Sequence, residues 1–349
     1  MANQPNDDAR AILGALPLPA ALIGPNEELL ASNGEAEAMF GAGLIGRHYV
    51  TAFRQPVLLD CIETALRLRE QTSATYRARV AGRETTWHAT AAPVGQGTSP
   101  RLLVTLEDRS AMTEAGQMRR DFVANVSHEL RTPLTALLGF IETLKGAARD
   151  DTVARDRFLA IMEQEAGRMN RLIDDLLSLS RVEAEERLRP TRLVDLSAVS
   201  RSVALALRPL ADQKGVSIGI EGADAPVEVP GDPDQLSQVV TNLAENAIKY
   251  GGENIALTFR LSSVKFEPVL RGAAVRLEVI DDGAGIDPVH IPRLTERFYR
   301  VDGHRSRELG GTGLGLAIVK HIVNRHRGRL RIDSALGAGT TATVTLPGR

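Results

Sequence analysis

The stretch Phe122-Val123-Ala124-Asn125-Val126-Ser127-His128-Glu129-Leu130-Arg131-Thr132-Pro133 lies in a segment whose apolar residues recur at spacings of three and four: Val123, Val126, Leu130, Pro133, Leu137, Phe140 and Leu144. That period is the seam of an α-helix. A second seam, Phe158, Met162, Glu165, Met169, Leu172, Leu176 and Leu179, follows a break at Gly146 to Thr152, with Glu165 its one polar member. The helical pattern therefore runs from Met118 to about Val182 as a hairpin. Two helices enclose too little core to stand alone, so pairing of two copies into a dimeric four-helix bundle is predicted.

His128 falls two residues past Val126, on the face opposite the seam. A lone histidine there is ordinarily a surface residue, but its neighbours argue for chemistry. Glu129 can accept a proton from the ring and leave a neutral nitrogen able to attack phosphorus. Thr132 lies one turn on along the same face. Pro133 removes a backbone donor and crowds the Glu129 carbonyl, which predicts a bend or loosened turn. The string FVANVSHELRTP resembles the phospho-acceptor box of the histidine kinase dimerisation domain. The resemblance implies that His128 is the phosphorylated residue, Glu129 the general base, and Thr132 the residue that positions water to dephosphorylate a partner. Residues 118–190 are also similar to phosphate-regulon sensor kinases.

Downstream, Asp232-Pro233-Asp234-Gln235 combines a cap residue, proline at the first helical position and glutamine three residues on. It predicts a helix running to about Tyr250. Leu236, Val239, Val240, Leu243 and Ala247 form its buried stripe, while Gln238, Asn242, Asn246 and Lys249 line another face. Alone, that polar stripe reads as a solvated face; beside an anionic ligand, Asn246 can offer its carbonyl to Mg²⁺ and Lys249 its cation to phosphate. A strand-like run, Val275 to Ile280, leads into Asp281-Asp282-Gly283-Ala284-Gly285-Ile286, where glycines permit a tight turn around a carboxylate able to accept from an adenine amine. Gly310-Gly311-Thr312-Gly313-Leu314-Gly315 then opens an apolar helical run from Leu316 to Val323, leaving backbone N–H groups for phosphates. The run matches neither the P-loop nor the dinucleotide fingerprint.

In order, NLAENAIKY, DDGAGI, ERFYRVD, GGTGLGLAIVK and GAGTTATVTLP resemble the nucleotide-binding boxes of the histidine kinase ATPase domain, over roughly residues 195–349. The resemblance implies an α/β sandwich of the Bergerat (GHKL) type with ATP and Mg²⁺ as cofactors. Asn246 is then the metal ligand, Lys249 reaches phosphate, Tyr250 packs beside adenine and Asp281 reads its amine. Gly283 and Gly285 shape the turn with Ile286, and Gly311, Gly313 and Gly315 flank a lid. Phe298 and Arg300 couple that lid to the bundle. Asn242, Thr312, Leu314 and Thr340 complete the nucleotide-contacting set. Two positions depart from the pattern, Thr295 in place of an aromatic and Asp282 in place of an asparagine. Gyrase-like ATP hydrolases share this ATP fold but carry a water-activating glutamate one turn before the metal asparagine. Here that position is Asn242, which favours phosphoryl transfer to a side chain over hydrolysis; against a scaffold that binds nucleotide for structure only, none of the residues the reaction needs is missing.

The N-terminal part, residues 10–108, shows short apolar runs (Ala21-Leu22-Ile23, Arg101 to Leu106) between turn-rich breaks at Gly24-Pro25-Asn26 and Gly95-Gln96-Gly97. The run PLPAALIGPNEELLASNGEAEAMFG resembles the opening of a PAS sensory domain, and Glu107-Asp108-Arg109-Ser110 feeds straight into the first bundle helix. His48, Cys61 and Trp87 carry no cofactor signature. The expected chain is thus multidomain α+β: a PAS-like domain at 10–108, a linker helix and phosphotransfer hairpin at 109–190, and an ATP-binding domain at 195–349. The resemblance implies a response regulator receiver domain as partner, with phosphatase activity toward it. Composition agrees with a folded protein: of 349 residues, 43% are hydrophobic and 25% charged. A net charge of −2 argues against direct nucleic-acid binding, and a single cysteine fits a reducing, cytoplasmic setting. The apolar stretch from Leu13 to Gly24, broken by Pro17 and Pro19, falls short of the ~20 residues of a membrane span.

Overall fold

A computed structural model describes residues 4–80, 82–95, 101–146, 148–186, 188–302 and 311–348. Gln96, Gly97 and Gly310 of the expected turns lie outside the described residues. The chain divides into two compact units, Met1–Ala124 and Asn125–Arg349, with the division inside one long helix.

The first unit starts with α1 (Gln4–Gly14) and builds a five-stranded antiparallel sheet from β1 (Ala20–Ile23), β2 (Leu29–Ser32), β3 (Thr72–Val80), β4 (Arg83–Val94) and β5 (Arg101–Asp108), in the order β2-β1-β5-β4-β3. Three helices follow β2: α2 (Gly34–Phe40), α3 (Tyr49–Ala52) and α4 (Pro56–Leu68). Strand β5 alternates as its sequence predicts, with Leu102, Val104 and Leu106 facing the core beside Leu58, Ile62 and Phe53. Asn33 ties the entry of the chain together. Its side-chain oxygen accepts from Ala20 N and from Ala36 N, 3.0 Å each, capping α2, and its amide donates to the carbonyls of Leu13, Leu16 and Leu18. At the exit, Ser110 N–H donates to Asp108 Oδ1 (2.9 Å) and the Ser110 hydroxyl accepts from Thr86 N–H (2.8 Å). The start of α5 (Ser110–Lys145) is thereby stapled to the sheet where β5 ends beside β4.

In the second unit the remainder of α5 pairs with α6 (Thr152–Glu185), whose cap Asp151 accepts from Ala154 N–H at 2.9 Å. The named seams are half-buried or buried between them, except Val123, and Phe140 stacks on Phe158 at 5.3 Å. A second apolar face, Leu134, Leu138, Ile141, Leu159, Ile173 and Leu177, is exposed and was not part of the heptad reading. Helix α5 continues through Pro133, while the Thr132 hydroxyl donates to the His128 carbonyl at 3.1 Å. Among the described residues no helix is long and apolar enough to cross a membrane.

Beyond the hairpin, a short pair of strands, β6 (Leu193–Asp195) and β8 (Glu228–Pro230), accompanies a five-stranded sheet. That sheet is formed by β7 (Ser217–Glu221), β9 (Ala256–Glu267), β10 (Gly272–Asp281), β11 (Arg329–Ser334) and β12 (Thr340–Pro347) in the order β11-β12-β10-β9-β7. All pairings are antiparallel except β7 with β9. Helices α7 (Leu196–Asp212), α8 (Pro233–Tyr250) and α9 (Gly315–Arg325) cover one face, burying Leu236, Val240, Leu243, Ile318 and Ile322 against Leu257, Phe259, Leu277 and Val344.

Helix α8 begins where its sequence predicts, with the Asp232 carboxylate accepting from Asp234 N–H (3.1 Å) and Gln235 N–H (3.3 Å). The reciprocal half of the capping box does not form: the Gln235 side-chain oxygen is buried without a partner, and Asp232 N–H donates instead to His326 Nε2 at 3.0 Å. His326 Nδ1 lies 2.8 Å from the Ile322 carbonyl. The ring is therefore neutral, donating through Nδ1 and accepting through Nε2. Burial lowers its pKa, and a proton on Nε2 would confront the Asp232 N–H. Because the folded value lies below the unfolded one of about 6.5, the unfolded chain binds the proton first, and stability falls as the pH drops below about 6.5. Thermal unfolding followed from pH 7.5 to 5.5 is expected to show this loss in wild type and a flatter profile in His326→Gln.

Candidate active site

His128 is exposed on α5, and the next residue, Glu129, reaches the other way into the unit. Glu129 Oε2 accepts from Arg168 Nη2 of α6 at 3.0 Å and from Arg300 Nη2 at 2.9 Å, with Arg300 Nη1 3.4 Å from Oε1. The two guanidinium groups are 12% and 8% exposed, the carboxylate 25%, so all three are largely withdrawn from water. Glu165, the polar interruption in the α6 seam, lies 3.8 Å from Arg168 and completes the charge balance. Arg300 Nη2 also donates to the Thr312 carbonyl at 2.9 Å. Glu129 and the glycine run before α9 are thus joined through one side chain.

Phe298 and Gly313 tie the two ends of the intervening segment. Phe298 adopts φ +62 and its N–H donates to the Gly313 carbonyl at 2.8 Å. Gly313, at φ +74, has no room for a side chain, since a Cβ would come 2.9 Å from Phe298 Cα. The Thr312 hydroxyl donates to Asp175 Oδ2 at 2.6 Å and accepts from Leu314 N–H at 3.3 Å. Gly311 is half-buried, Leu314 fully buried, and Gly315 opens α9 with its carbonyl 3.5 Å from Asn242 Nδ2.

On α8, Asn242, Asn246, Lys249 and Tyr250 are all half-buried. Lys249 is ion-paired with Glu245, one turn earlier. Strand β10 delivers Asp281 to the edge of the same region, where its Oδ1 accepts from Gly283 N–H at 3.1 Å. Burial pushes the Asp281 carboxyl up, opposed by hydrogen bonds from the Gly283 and Thr340 backbone. Gly285 needs its φ of +68, because a Cβ there would lie 1.9 Å from the Ala335 carbonyl oxygen. Ile286 N–H donates to Ser334 Oγ (2.8 Å), which is 2.9 Å from Thr340 Oγ1. Asp282 has a separate task, its carboxylate accepting from Ala256 N–H at 2.7 Å.

Three participants escaped the sequence reading: Arg168 and Asp175 on α6, and Glu245 on α8. The Glu245–Lys249 spacing of four was a legible signal for a helical ion pair. Nothing local marks Arg168 or Asp175, whose partners lie on other elements.

Residues 118–185 match the His Kinase A (phospho-acceptor) domain, and residues 231–349 match the histidine kinase-, DNA gyrase B- and HSP90-like ATPase. The chain is 42% identical over 241 residues to the phosphate regulon sensor protein PhoR of Pseudomonas aeruginosa, covering 69% of this chain and 53% of that protein. It is 37% identical over 246 residues to the sensor histidine kinase WalK of Bacillus subtilis, covering 70% and 39%. The chain thus spans about half the length, or less, of these relatives. A solved structure of the histidine kinase ThkA in complex with the response regulator protein TrrA matches 97% of this chain and 98% of that chain, with a TM-score of 0.52 at 19% identity, a likeness of fold alone. With an ATP-binding domain following a phospho-acceptor hairpin, the chain belongs to the sensor histidine kinases of two-component systems.

Proposed function

We propose that this chain binds Mg·ATP in its second unit, transfers the γ-phosphoryl group to His128, and passes it on to an aspartate of a response regulator receiver domain. The observation that carries the reading is the 2.9 Å bond from Arg300, beside the nucleotide-binding glycine run, to Glu129, the neighbour of the exposed His128. A ring nitrogen of His128 attacks phosphorus, the bond to ADP breaks, and the ring proton passes to Glu129 once its carboxylate turns from Arg168 and Arg300 toward the ring. Asp281 orients adenine, and Lys249 and the N–H groups around Gly313 to Gly315 hold phosphate oxygens. Asn246 presents one amide oxygen, and with phosphate oxygens and water that suits Mg²⁺, which supplies charge neutralisation when bound. Asn242, bonded to the Gly315 carbonyl, offers water no base. Thr132, on the His128 face, suits positioning a water against a phosphorylated regulator.

The exposed face formed by Leu134, Leu138, Ile141, Leu159, Ile173 and Leu177 supports a homodimeric four-helix bundle. The strand order β2-β1-β5-β4-β3 with its helices supports a PAS-like sensor at 10–108, ahead of the phosphotransfer hairpin at 109–190 and the catalytic domain at 195–349.

Incubation with γ-labelled ATP and Mg²⁺ is expected to give acid-labile, alkali-stable label in wild type and none in His128→Gln. Steady phosphate release without labelled protein would contradict the reading. Leu138→Glu, which places a charge in the apolar face, is expected to turn a dimer into a monomer by light scattering; an unchanged mass would contradict the bundle.

A further inference from the structure

Along the α6 edge facing the nucleotide-binding layer, Glu183, Glu185 and Glu186 each meet a basic side chain. Glu183 pairs with Arg297 and lies 3.4 Å from His321, Glu186 lies 3.4 Å from the other His321 nitrogen, and Glu185 lies 2.8 Å from Arg325. Asp175 differs. Among the described residues it forms no ion pair, and its partner is the Thr312 hydroxyl at 2.6 Å. It is half-buried, and burial pushes its carboxyl up, opposed by the hydrogen bond from Thr312 and by Lys249 and reinforced by Glu245 and Asp174. The N–H groups that follow Thr312, and Lys249 nearby, are the donors the proposed function assigns to phosphate oxygens.

Resting on that reading of the ATP site, we propose that Asp175 is an internal anionic competitor of the nucleotide phosphates. While it holds Thr312, the nucleotide-binding layer is fastened to α6 and the phosphate subsite faces a carboxylate with no neutralising ion pair. Phosphate oxygens arriving at Thr312 bring like charge to a group poorly screened by water, so nucleotide and the Asp175–Thr312 bond oppose each other. Linkage makes the effect reciprocal: removing the charge tightens nucleotide binding, and bound nucleotide loosens the fastening. The rim contacts, such as Ser178 Oγ to Gln238 at 2.9 Å, lack that charge and serve docking alone.

The test is calorimetric titration of the full chain with Mg·AMPPNP. Asp175→Asn keeps the shape and an oxygen for Thr312 but removes the charge, and it is expected to bind at least about fivefold tighter than wild type, the lower end of ordinary coupling. Ser178→Ala, which loses one neutral hydrogen bond of the same docking, is expected to gain much less than Asp175→Asn does. Equal affinity in Asp175→Asn and wild type, or an equal gain in Ser178→Ala, would overturn the proposal. A wild type that takes up no nucleotide would instead overturn the ATP reading beneath it. Should Asp175→Asn not fold, the Ser178→Cys/Gln238→Cys pair in the otherwise native chain gives the reciprocal readout. AMPPNP is expected to slow its oxidative cross-linking at least about fivefold, and an unchanged rate would overturn the proposal.

Discussion

A carboxylate that accepts from two guanidinium groups, 39 and 171 residues away in the chain, has to be placed by several elements together, and Glu129 is such a carboxylate. Helix α5 supplies it, α6 supplies Arg168, and the segment ahead of α9 supplies Arg300. Removing any one partner would strand charge in a site largely closed to water, where an unpaired ion costs several kcal/mol. The position of Glu129 in turn sets that of His128, because neighbouring residues on a helix have a fixed angular relation. His128 stays in solvent because Glu129 turns inward.

The same logic of long-range polar fixing recurs in the nucleotide layer. His326 closes α9 onto the start of α8 by accepting the Asp232 N–H, and Asp232 then caps α8 with its carboxylate. From that cap, Asn242, Asn246 and Lys249 follow on half-buried turns, while the β10–β12 register sets Asp281 against Thr340. The site is therefore assembled from rigid helix and strand ends, with close backbone approaches at Gly285 and Gly313.

Much of this was legible because the signals are local. The Asp232-Pro233 cap acts on the next two amides, the α5 and α6 seams repeat every three or four residues, and the alternation in β5 follows from strand geometry alone. The limits are equally physical. Gln235 reads as the return half of a capping box, yet a histidine 94 residues from Asp232 takes the amide it would have served. Leu134, Leu138 and Ile141 form a second, exposed apolar face on the helix already read for one seam, since a repeat read for one stripe does not mark another. Arg168 and Asp175 look like ordinary helix-surface charges until α5 and the glycine run are folded against them. Which helical charge is functional depends on what packs opposite, and local pattern does not encode that.

Glu129 thus stands between the anchoring of Arg168 and Arg300 that it performs in the structure and the acceptance of the His128 proton proposed for it. The most direct test is the single-turnover rate of His128 phosphorylation in Glu129→Gln at saturating Mg·ATP, measured together with nucleotide affinity. A proton acceptor predicts a rate lower by about 10²–10⁴-fold with nucleotide affinity within about twofold of wild type. An unchanged rate, or a loss matched by weakened nucleotide binding, would contradict it.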